Sequence, residues 1–101
     1  MFARSIRIVR TPSSERHILL DDKRREFAAL ELHYLPDGKV AGTLILFEES
    51  KYPEAQVPAL LEQIDDELLP EASLSAHNLS FTVVVGRVLG SFVPDTDESA
   101  K

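Results

Sequence analysis

The chain contains no cysteine. That absence excludes disulfides, thiolate zinc sites, iron–sulfur clusters and cysteine nucleophiles together. Long apolar runs are also missing. None exceeds four positions, as at residues 44–47, whereas a helical membrane span needs about 20. The first ten residues, MFARSIRIVR, lack the apolar stretch and small-residue cleavage site of a signal peptide. These absences lead to the expectation of a cytoplasmic protein without membrane contact.

Catalytic and metal-binding patterns are scarce as well. There is no G-x-S-x-G nucleophile elbow, and the segment Gly86-Arg87-Val88-Leu89-Gly90 lacks the lysine and helix start of a phosphate loop. His17, His33 and His77 fall at no metal-ligand spacing. Asp65, Asp66 and Glu67 are consecutive in a predicted helix, so they point in different directions and do not chelate one ion. The residues therefore predict no metal, no cofactor and no catalytic group.

What is present suits one globular domain. A chain of 101 residues, 44% hydrophobic and 28% charged, has the common domain size and an ordinary composition. The domain is expected over residues 1–94, followed by a disordered acidic tail at 95–101. Charge is distributed unevenly. Residues 1–25 hold seven basic against three acidic residues, a net +4. Residues 26–101 hold four basic against fourteen acidic, a net −10, and the whole chain carries −6. A basic first quarter on an acidic body either neutralises that body or presents positive charge to a partner. Arg7, Arg16, Lys23, Arg24 and Arg25 are the candidate partner-binding residues. The overall pI near 4.9 argues against nucleic acid. So does the shortage of aromatics beside the cluster, since Phe2 and Phe27 read as core rather than stacking platforms.

Periodicity predicts the order β-β-β-β-α-β. Alternation predicts strands over residues 5–11 and 16–20, joined by a turn at 12–15. A helix running from Ser13 or Ser14 is the competing reading for residues 13–30. Residues 26–35 and 39–48 alternate cleanly around Pro36-Asp37-Gly38, a hairpin with Gly38 at positive φ. Val57, Leu60, Leu61, Ile64, Leu68 and Leu69 form the stripe of an amphipathic helix over 57–69, with Pro58 at its start and Pro70 at its end. Leu61 and Ile64 are expected to be buried. Residues 71–78 read as a loop and 79–93 as a strand. The fold class is α+β: an antiparallel sheet of about five strands with one amphipathic helix on one face.

One helix covers one face of such a sheet. After Thr43 the strand is apolar on both faces, which marks Ile45 and Phe47 as candidates for self-association. The resulting expectation is a small non-enzymatic protein-interaction module, a homodimer. The alternatives are a ligand-binding or enzymatic domain with a pocket between helix and sheet, with Arg87 or His33 as its polar group, and nucleic-acid binding through the basic hairpin.

Overall fold

The computed structural model of the chain describes residues 1–69, 78–87, 89, 90 and 92. The expected tail at 95–101, His77 and most of the 71–78 loop lie outside the described residues. Five strands and one α-helix are ordered β1 Arg4–Thr11, β2 Ser14–Leu20, β3 Glu26–Tyr34, β4 Val40–Phe47, α1 Val57–Leu68 and β5 Leu79–Gly86. The strands form a single sheet in chain order, so the α+β reading holds.

β1 to β4 are an antiparallel meander, as alternation and turn residues predict. The competing helix over residues 13–30 does not form. Residues 14–20 instead pair with β1 on one side and β3 on the other. Pro12 and Ser13 alone make the first turn, so Ser14 and Glu15 belong to β2 and not to the turn. Gly38 has φ of 84°, the left-handed conformation that the second hairpin requires of it. β5 departs from the expected antiparallel sheet. It runs parallel to β4, because α1 carries the chain back along the sheet before the last strand begins. It is also shorter than expected and ends at Gly86.

Residues opposite one another across the strands share a face. On one face lie Leu30 and Leu44, Leu32 and Gly42, and Tyr34, Val40 and Leu79. This face packs against α1, and its core includes Leu19, Leu30, Leu32, Leu44, Leu60 and Ile64, all fully buried. Leu61, expected to be buried, is half-buried against this core; Leu60, four residues before Ile64, completes the buried line instead. The N-terminal segment closes the flank of the helix: Phe2 N donates to Gln63 Oε1 at 2.8 Å, and Gln63 Nε2 donates back to Phe2 O at 2.7 Å. Gly42 sits against the ring of its β5 neighbour Phe81. A Cβ at Gly42 would lie 2.5 Å from a ring carbon, so only glycine lets the ring pack there.

The other face has no helix over it among the described residues. Three of the rows across it are Ile6, Ile18, Ala29, Ile45 and Val84; then Val9, Arg16, Glu31, Thr43 and Thr82; then Thr11, Ser14, His33, Ala41 and Ser80; on the other side of the Ile6 row lie Arg4, Leu20, Phe47 and Gly86.

Candidate functional site: the open sheet face and a glutamate cluster

The first row of the open face is apolar on all five strands. Ile6 and Val84 at its two ends are 41% and 42% exposed. Ile18 and Ile45 are half-buried, and Ala29 between them is buried. Phe47, two residues beyond Ile45 on the same side of β4, is also half-buried. Ile45 and Phe47 therefore both belong to the face that the helix leaves uncovered. The adjacent row carries one ion pair, Arg16 to Glu31 at 3.3 Å, and the third row contains no Asp, Glu, Lys or Arg. The face is thus apolar along one line and carries a matched ion pair in the next, with Arg4 of β1 in the row beyond, on a chain of net charge −6.

The five basic residues singled out by charge do not converge. Arg7 lies opposite His17 on the helix side and reaches Glu15 at 3.7 Å. Arg16, the neighbour of His17 in the strand, points to the open face. Lys23, Arg24 and Arg25 occupy the β2–β3 loop, where Asp21 organises them. Its Oδ1 accepts from the Lys23 and Arg25 backbone N–H groups, each at 2.9 Å, and its Oδ2 accepts from Arg25 Nε at 3.0 Å. These hydrogen bonds, that from the Arg25 backbone foremost, hold the Asp21 carboxyl below its ordinary range. Arg24 adopts φ of 64°, unusual for a residue with a Cβ. Phe2 and Phe27 are both buried, and Phe27 stacks on Tyr52 with ring centroids 5.0 Å apart. Neither stands as a stacking platform beside the basic residues.

A second cluster, centred on Glu15, lies on the helix side. The Tyr34 hydroxyl donates to Glu15 Oε2, His17 Nε2 lies 3.0 Å from Oε1, and Arg10 Nε approaches Oε2 at 3.8 Å. The Arg10 guanidinium also lies over the Tyr34 ring, 5.3 Å from its centroid. Register explains the grouping, since Arg10 faces Glu15 directly across β1–β2 and Tyr34 lies on the diagonal in β3. Burial raises the Glu15 pKa, but the hydrogen bonds from Tyr34 and His17 and the charge of Arg10 outweigh it, so the carboxyl lies below its ordinary 4.5. Burial, together with the hydrogen bond and charge of Glu15, pushes Tyr34 up to about 12.

The cluster opens on a cavity of about 430 Å³, whose wall includes Arg10, Glu15, Tyr34, Lys39, Leu68 and Leu69. This is the junction of helix end and sheet where a pocket was expected, but neither Arg87 nor His33 lines it. His33 is exposed on the open face, and Arg87 is exposed just past β5. Among the described residues no group of three or more His, Asp or Glu side chains is placed to hold a metal ion, and no helix is long and apolar enough to cross a membrane.

The lowered Glu15 pKa has a defined consequence for stability. A carboxyl whose pKa falls on folding contributes stability that is present above its unfolded value near 4.5 and is lost as pH falls through the folded value. Glu15→Gln should cost about 1–3 kcal/mol at pH 7, the worth of hydrogen bonds to a charged acceptor. The gap between the two proteins should narrow as pH drops below 4.5. Urea titrations at pH 7 and pH 3 check this, and a gap independent of pH would contradict it.

No protein family, curated protein or solved structure matches the chain, so the functional reading rests on its own surfaces.

Proposed function

We propose that this chain is a small, non-enzymatic protein-interaction module of the cytoplasm. It associates with a second copy of itself through the open face of its sheet. The observation that carries the reading is the apolar row Ile6, Ile18, Ala29, Ile45 and Val84, which crosses all five strands on the face opposite α1. At about 4.8 Å between strands and about 3.3 Å per residue, a face of this size covers roughly 24 by 26 Å. That approaches the roughly 800 Å² per partner of a standard interface. Sheets of two copies would stack at about 10 Å with their apolar rows interdigitated. Arg16 is already paired with Glu31, so the stacked faces bring no unmatched charge together from these rows.

A second reading, a small-ligand site, is favoured by the cavity at Glu15, whose volume of about 430 Å³ is in the range of ligand pockets. Its polar groups, however, already have partners: Tyr34 and Arg10 meet Glu15 within the cavity wall, and Lys39 pairs with Asp37 outside it at 3.9 Å. The open face carries the first reading further.

Ile45→Glu and Phe47→Glu, made separately, should each halve the mass of the assembly in sedimentation equilibrium at micromolar concentration. Their circular dichroism and melting should stay near those of the parent, because both side chains are only half-buried. An unchanged mass in both variants would reject the open face as the interface.

A further inference from the structure

We propose that the outer edge of β5 is a second homotypic contact, in which β5 pairs antiparallel with β5 of another copy about a twofold axis at Val83. The proposal goes beyond the stacking of open faces and uses a different surface.

The two edges of the sheet differ in kind. β1 carries Arg4, Arg7 and Arg10, all exposed, and its register slips between Arg7 and Val9. Both features oppose strand addition: self-pairing would bring arginines together, and a bulge disturbs the edge. β5 has neither protection. Its sequence, LSFTVVVG, contains no charge and no proline, and its pairing with β4 runs without a slip from Leu79 to Gly86. Among the described residues no strand pairs with its outer side.

β5 also exposes valine on both faces. Val84, on the open face, is 42% exposed. Val83 and Val85 share the face that α1 covers elsewhere, yet they are 38% and 64% exposed. The helix therefore leaves this strand bare on its own side too, and stacking of open faces would bury Val84 alone of the three.

Antiparallel pairing about Val83 accounts for all of them. It sets Val83 against its own copy, Phe81 against Val85, Thr82 against Val84 and Ser80 against Gly86. On the helix side, the partly buried Phe81 and the exposed Val83 and Val85 of the two copies meet as aromatic–β-branched and β-branched pairs, which are favourable cross-strand neighbours. No like charges are brought opposite, which matters for a chain of net −6. The twofold axis stands perpendicular to the sheet, so both helices fall on one side and the two open faces join into one. Edge pairing and face stacking use different surfaces and are thus compatible, and with their twofold axes intersecting they close at four chains.

The chain has no cysteine, so a single introduced thiol reports one position. Opposed residues of an antiparallel pair have Cα atoms about 4.5–5.5 Å apart, within disulfide range. Val83→Cys, treated with a mild oxidant at micromolar concentration, should convert almost completely to a covalent dimer. Val85→Cys, exposed on the helix side of the same strand and away from the open face, should not, because its copies would lie about 13 Å apart at about 3.3 Å per residue. Equal cross-linking at both positions, or none at Val83, overturns the proposal. Mass separates this contact from the open face. With the edge contact intact, Ile45→Glu should be a two-chain species, and adding Val85→Lys should reduce it to one chain. A single-chain Ile45→Glu protein would leave the open face standing and reject the edge.

Discussion

Truncating Ile64 to alanine is expected to cost about 2–5 kcal/mol of folding stability. Ile64 is fully buried, and with Leu60 it fills the line where α1 meets Leu19, Leu30, Leu32 and Leu44. The loss combines the transfer of the missing methyl and methylene groups with the cavity they leave in a close-packed interior. A domain of about 100 residues has roughly 5–15 kcal/mol in total, so this single change removes a large share. Leu61→Ala should cost clearly less, since Leu61 is half-buried at the margin of the same contact. Urea denaturation of the two variants checks the ranking. Equal costs would mean that the helix is seated one residue differently from the arrangement described above.

Gly42→Ala should destabilise the protein by about 1–3 kcal/mol, the cost of overfilling a packed site. The added Cβ would lie 2.5 and 2.6 Å from two ring carbons of Phe81 and 3.4 Å from a methyl of Leu32. Either the ring moves off β4 or the two strands separate. Because the conflict is with one side chain, a second substitution should relieve it. Phe81→Leu in the Gly42→Ala background should cost less than Phe81→Leu in the parent, a coupling of the kind that double-mutant cycles measure between touching residues. Additive losses would show that the ring does not limit the site.

The parts of this fold that can be read in the sequence are those fixed by local pattern. The β3–β4 hairpin follows from alternation around Asp37-Gly38, and α1 from its stripe of Val57, Leu60, Leu61, Ile64 and Leu68. The direction of β5 was not legible in this way, because alternation is the same for a strand running either way; direction depends on how far α1 returns the chain. The Glu15 cluster was hidden by one error of register. With residues 12–15 taken as the turn, Glu15 has no cross-strand neighbour, whereas a two-residue turn at Pro12 and Ser13 sets it opposite Arg10. The basic residues show a different limit. A charge count along the chain does not distinguish sheet faces, and Arg7 and Arg16 lie on opposite ones. The surplus of apolar residues at Ile45 and Phe47 was legible because it rests on counting: one helix covers one face.

Self-association is the central claim, and the mass of the unmodified protein tests it most directly. Sedimentation equilibrium from about 1 μM to about 1 mM spans dissociation free energies of roughly 4–8 kcal/mol. The expected result is a species of two chains where the open face acts alone and four where the β5 edge also pairs, dominant by micromolar concentration. A single-chain mass of 11.3 kDa at every concentration up to about a millimolar would contradict it.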